Sequence, residues 1–174
     1  MFHKILSKLL DYPDEALIAA LPALRQELKR GFEAAECLVL ERFMQALAGR
    51  DLTEAQAAYV LTFDLAPEHS LHLTHHLFGD DKNRGPALID LSEYYKGFGL
   101  ELAVEDGAGN ELPDFLPLML EFAAQLETEE ARVFLSQWSK VLNQLAGNLE
   151  GNQSPYAPLI RLIEQRAQLV EAVA

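Results

Sequence analysis

Residues 59–64 read YVLTFD, residues 69–76 read HSLHLTHH, residues 79–85 read GDDKNRG and residues 111–122 read ELPDFLPLMLEF. Around these blocks the apolar side chains recur three and four residues apart, as Ala55, Tyr59 and Phe63 do, and again Leu88, Leu91 and Tyr95. That spacing places them on one face of a helix. Pro67 and Pro86 stand where helices can begin, and Gly79, Gly97 and Gly99 where they can stop. No segment alternates apolar and polar residues between hairpin turns, so strands are not expected. The fold class is therefore all-α: one domain over residues 1–174, a bundle of about eight or more helices.

Outward from this centre the same logic orders the chain. Residues 2–10 form an amphipathic first helix, stopped by Asp11, Tyr12 and Pro13. A helical pattern resumes over 14–30, with Pro22 expected to start a new segment. Cys37, Leu38, Leu40, Phe43, Met44 and Leu47 make a stripe that ends at Gly49, and Asp51 caps the next helix with Glu54 three residues on. Pro67 is expected to open a helix that runs unbroken to Phe78. Residues 100–112 carry turn chemistry and are expected to form a flexible loop. Three closing helices follow, over 113–126, 128–145 and 155–173, with 147–154 as a polar linker.

Composition bounds the function. At 174 residues with 49% apolar and 24% charged side chains, the chain can bury a full core. It has no apolar run long enough for a membrane span, so no integral membrane association is expected. The lone Cys37, with no export signal recognised at the N-terminus, points to the cytoplasm. A net charge of −13 argues against a nucleic-acid partner, which calls for a basic stripe. The acids are concentrated: none of the residues between Arg50 and Lys82, or between Lys96 and Arg132, is Lys or Arg. Such a field favours a cationic partner.

Catalytic chemistry finds little support. On one continuous helix His69, His72 and His76 would share a face, so a metal-dependent helical enzyme has to be weighed. No Glu occupies the metalloprotease position after the first His, and the flanking leucines favour packed, hydrogen-bonded histidines. The serines lie in no nucleophile elbow, and the glycines in no phosphate-binding loop. The expectation is no catalytic residue, no metal and no enzyme.

The ordered series Tyr59-Val60, Thr62-Phe63-Asp64, Leu71, Leu73-Thr74, His76, Gly79-Asp80, Arg84-Gly85, Ala87-Leu88, Leu91, Tyr95, Gly99, Glu111 to Asp114, Leu116-Pro117 and Leu120 to Phe122 resembles the signature of the NarJ-type chaperones. These belong to the wider TorD-like group of redox-enzyme maturation proteins. The resemblance implies a binding protein. Its client would be the apo catalytic subunit of a respiratory nitrate reductase, held by a basic amphipathic N-terminal peptide until the molybdenum bis-guanine-dinucleotide cofactor is inserted. No cofactor would stay bound to the chaperone. Another molybdoenzyme client, of selenate, chlorate or hydrocarbon dehydrogenase type, is the alternative.

An amphipathic peptide helix requires an apolar groove with a polar rim. Tyr59, Phe63, Leu71, Tyr95, Leu116 and Phe122 are expected as walls, with Asp64, Glu111, Asp114 and Glu121 as partners for peptide cations and His76 beside them. Gly79, Arg84 and Gly85 are expected to form a structural turn, with Arg84 paired to Asp80, Asp81 or Asp114. Pro113 and Pro117 are expected to set how the helix after them starts.

Overall fold

The first helix lies in the core. In the computed structural model, which describes residues 1–28, 32–102 and 111–168, α1 (Phe2–Leu10) buries Phe2, Ile5, Leu6, Leu9 and Leu10. It packs along α7 (Leu116–Ala123), which is itself buried over most of its surface through Leu116, Met119, Leu120, Phe122 and Ala123. A second pair, α9 (Ser139–Gly151) and α10 (Ala157–Ala167), packs against it, with Leu142, Leu145, Ile160 and Ile163 fully buried. Around these stand α2 (Glu15–Glu27), α3 (Ala34–Ala48), α4 (Leu52–Tyr59), α5 (Leu73–Phe78), α6 (Arg84–Gly97) and α8 (Thr128–Ser136). The described residues thus hold ten α-helices and no strand, the all-α class expected. No described helix is long and apolar enough to cross a membrane.

Local chemistry sets the helix starts. The Asp14 carboxylate accepts the Leu17 N–H at 2.6 Å and opens α2, and Asp51 accepts from Thr53 N at 2.9 Å and opens α4. Glu33 with Glu36, and Glu127 with Glu130, close reciprocal capping boxes on α3 and α8. At the end of α6, Gly99 takes φ 74° while its N–H bonds Lys96 O and the Leu100 N–H bonds Tyr95 O. That pairing is a Schellman stop, with glycine where the left-handed residue is required. The end of α9 uses the same two bonds, Gln153 N to Glu150 O and Ser154 N to Leu149 O, but places Gln153 at φ 53°.

Several expectations are corrected. Pro22 lies inside α2 rather than starting a segment. The 128–145 helix is two helices, because the chain turns at Gln137 and Trp138. The polar stretch 147–154 is helical through Gly151, and the turn is confined to residues 152–154. The helix opened by Asp51 ends in a π turn, Val60–Asp64, where the Leu65 N–H reaches back five residues to Val60 O. The helix from Pro67 to Phe78 is not continuous: a 3-10 turn, Pro67–His69, is followed by extended residues before α5 begins. Residues 103–110 of the loop expected over 100–112 lie outside the described residues.

Leu6 is fully buried at the centre of the α1 face. Replacing it by alanine is expected to cost about 2–5 kcal/mol in urea unfolding. Gln153→Gly should instead gain roughly 0.5 kcal/mol, since it relieves the left-handed strain at the cost of glycine's greater unfolded freedom.

Candidate functional site

Residues 113–116 form a corner that is tied to residues 71–74 by both backbone and side chains. Leu73 N donates to Asp114 O at 3.0 Å and Leu116 N to Leu71 O at 2.8 Å, two rungs of an antiparallel crossing. The Asp114 side chain is completely buried. Its Oδ1 accepts from His72 Nδ1 at 3.1 Å, and its Oδ2 from the Thr74 N–H at 3.1 Å and from the Thr74 hydroxyl. Arg84, the first residue of α6, donates from Nε to Thr74 Oγ1 at 3.0 Å and lies 3.5 Å from Asp114 Oδ2 through its terminal nitrogen. Burial by itself would raise the Asp114 pKa. The His72 and Thr74 hydrogen bonds and the His72 charge outweigh it and hold the carboxyl below its ordinary value.

A groove opens between α6 and α7. Tyr95, Leu118 and Phe122 form its apolar floor, Leu100 and Leu102 its far edge, and Glu101, Glu121 and Gln125 its rim, around a cavity of about 220 Å³. The Tyr95 hydroxyl donates to Pro113 O at 2.6 Å, and its ring meets Phe122 at 4.4 Å. Burial drives the Tyr95 phenol far above its ordinary pKa, so it stays a donor. Alongside stand Tyr94 and Phe98, 37% and 41% exposed, with ring centroids 5.3 Å apart; both pack on Phe122 and Tyr94 also on Phe134, at 5.6–5.9 Å. Glu101 and Glu121 are exposed and have no salt-bridge partner among the described residues, whereas Lys96 is held by Glu93 at 2.8 Å. The groove is therefore apolar and aromatic with an acidic rim. A larger hollow of about 560 Å³ lies between α3 and α10, but its Arg161 and Arg166 are already paired with Glu150 and Glu36.

The sequence-derived site residues separate into three places. Tyr95, Glu121 and Phe122 belong to the groove. Leu71, Arg84, Pro113, Asp114, Leu116 and Pro117 build the corner, and of these Leu71, Pro113, Asp114, Leu116 and Pro117 are buried. Arg84 pairs with Asp114 among the three acids considered for it. Tyr59 and Phe63 are buried with Tyr156 in an aromatic cluster, and Tyr59 donates to Leu10 O at 3.0 Å. Asp64 and Glu111 are exposed, and with Asp11 they add to burial in raising the Tyr59 phenol. Hence Tyr59, Phe63, Leu71 and Leu116 are core residues rather than walls of an open groove, and Asp114 is no part of its rim. Gly79 takes φ 54°, the left-handed turn for which glycine is suited, whereas Gly85 is already helical within α6.

The histidines do not share a helix face. His69 is in the 3-10 turn, His72 is extended and His76 is in α5. His69 meets Thr62 O at 3.1 Å and Asn152 Nδ2 at 2.9 Å, and His76 Nε2 donates to Ser70 O at 2.8 Å. Burial lowers the His76 pKa, which favours the neutral ring. The geometry on which a histidine metal site depended is absent, and the described residues hold no cluster of three or more His, Cys, Asp or Glu arranged to hold a metal ion. Sequence reasoning missed Tyr94, Phe98, Leu100, Glu101, Leu102, Leu118 and Gln125. For Tyr94 there was one signal: it lies beside Tyr95 at the margin of the apolar face formed by Ala87, Leu88, Leu91 and Tyr95, where a helix side chain is only partly covered.

The described residues thus form an all-helical body with an apolar, acid-rimmed groove between α6 and α7. The family model described as nitrate reductase delta subunit matches residues 14–161, and the chain belongs to that family. It is 37% identical over 165 residues to the nitrate reductase molybdenum cofactor assembly chaperone NarJ of Escherichia coli (strain K12), covering 91% of this chain and 66% of that protein. The chain thus spans just under two thirds of that relative's length. It is also 37% identical over 161 residues to the probable chaperone of the same name from Bacillus subtilis (strain 168), covering 91% of this chain and 83% of that one.

Asp114→Asn leaves the donors of Arg84 and Thr74 facing an amide. Because Arg84 and His72 are partly open to water, the expected loss at neutral pH is about 2–3 kcal/mol, measured by urea unfolding. The folded carboxyl titrates below its ordinary value, so the stability it contributes is fully present above a pH of about 4. It is lost as pH falls through the lower folded value. The gap between wild type and variant should therefore close in acid.

Proposed function

We propose that this chain is an assembly chaperone for a respiratory nitrate reductase. It binds the basic, amphipathic N-terminal peptide of the apo catalytic subunit and keeps that subunit competent for insertion of the molybdenum bis-guanine-dinucleotide cofactor before membrane assembly. The role is one of binding in the cytoplasm, with no catalytic step and no cofactor retained. The observation that carries this reading is the α6/α7 groove, whose aromatic floor and exposed Glu101 and Glu121, without a salt-bridge partner among the described residues, suit an apolar helix face bordered by Lys or Arg. Family membership and the assembly roles in the names of its relatives support it.

Burial of the peptide's apolar face supplies most of the affinity, while the rim acids orient the peptide and speed its arrival. Asp64 and Glu111, exposed near Tyr59, extend the acidic field without lining the groove. Arg84, Asp114 and the glycine turn act on the peptide only through the shape of the groove.

Calorimetric titration with a synthetic N-terminal peptide of the host's catalytic subunit tests this. Binding is expected to persist in high salt but weaken. Phe98→Ala should lower affinity about tenfold, the equivalent of one partly exposed aromatic contact. Glu101→Gln with Glu121→Gln should flatten the salt dependence and cost less affinity. An unchanged titration with all three substitutions would remove the groove from the reading.

A further inference from the structure

The two walls of the groove hang from a single corner. α7 begins directly after residues 113–115, and its Leu118, Glu121 and Phe122 form one wall. α6 forms the other and is lightly packed, burying Leu91 and Tyr95 and leaving Ile89, Tyr94 and Phe98 exposed. Its attachments to the corner are polar. Arg84, at its N-terminus, reaches Thr74 and Asp114 at 3.0 and 3.5 Å. Three turns on, the Tyr95 hydroxyl reaches Pro113 O at 2.6 Å. Both flanks of α6 contain a glycine in the left-handed region, Gly79 at φ 54° and Gly99 at φ 74°. The turn before α6 is held by one local bond, Asn83 N to Asp81 Oδ1 at 2.8 Å, which does not reach the corner.

We infer that Arg84 and the Tyr95 hydroxyl are positioning residues, which tie α6 to the corner from which α7 starts and so set the separation of the groove walls. The inference rests on the peptide-binding reading above and adds what controls it. A phenylalanine would fill the Tyr95 site equally well as far as packing with Phe122 is concerned, so the hydroxyl's contribution is the bond to Pro113. That bond runs between walls, not within one. Its loss leaves the α1–α7 and α9–α10 pairs untouched and lets α6 sample wider positions. A peptide then finds the competent spacing only part of the time, and its apparent affinity falls by that fraction.

The test compares the full chain with Tyr95→Phe, Arg84→Met and Arg84→Lys, by titration with the same peptide and by amide hydrogen exchange without it. Tyr95→Phe and Arg84→Met should each weaken binding about five- to tenfold, with partial recovery in Arg84→Lys, which keeps the charge beside Asp114 but loses the fork to Thr74. Exchange should quicken in α6 and stay unchanged in α9 and α10. Tyr95→Phe removes a single oxygen and keeps the test valid if an Arg84 variant fails to fold. Tyr95→Phe binding within twofold of wild type, or exchange rising evenly along the chain, would overturn the inference. If the peptide fails to bind wild type, the peptide reading falls, and exchange alone decides: selective quickening of α6 upholds the tie, and no change rejects it.

Discussion

A carboxylate with no access to water has to be surrounded by donors, and the need to satisfy Asp114 organises the centre of this molecule. Its donors come from the extended residue His72, from Thr74 at the start of α5 and from Arg84 at the start of α6. One side chain thereby fixes where α5 and α6 begin relative to the corner that starts α7. The backbone rungs at Leu73 and Leu116 hold the crossing in register, so the carboxylate and the peptide groups constrain the same few ångströms of chain. Displacing any one of these groups leaves the buried Asp114 carboxylate short of a partner that water cannot replace.

The groove inherits its form from this arrangement. α6 is held at the side of the body, where Tyr95 is buried against Phe122 in the groove floor and Tyr94 stays partly exposed, packed on Phe122 and Phe134. The rim acids stay available because the nearby cation Lys96 is engaged by Glu93 on its own helix. Apolar area supplies affinity without direction, and exposed charge supplies direction with little affinity. α7 presents both, with Phe122 in the floor and Glu121 on the rim, while Tyr95 of α6 and Glu101 beyond it supply the opposite side.

Much of the fold was legible in the sequence. The spacing of Phe2, Ile5, Leu6 and Leu9 and the capping residues Asp14 and Asp51 specify helices through purely local chemistry. The missed breaks were those set by tertiary contact. Nothing local distinguishes Ser70 to His72 from helix. They are extended because His72 pairs with Phe115 and Asp114, which lie some forty residues further along the chain. The site was legible in part for a related reason. Apolar periodicity identifies a buried face but not what buries it, so Tyr59, Phe63, Leu71 and Leu116 carried the same signature as Tyr95 and Phe122. Only the latter two reach the groove. Asp114 stood out as an acid in an apolar block, and its partners were needed to show that it faces inward.

The place of α1 has a bearing on how the chain reaches its native state. Residues 2–10 are synthesised well before the main surfaces they cover, those of α7 and α10 at residues 116–123 and 157–167. Their partners are separated from them by most of the chain's length, so the core closes only after the last of its helices has been synthesised. Until then the apolar face of this amphipathic nine-residue segment lacks its main native partner. A protein proposed to shelter an amphipathic segment of another chain must first find shelter for one of its own.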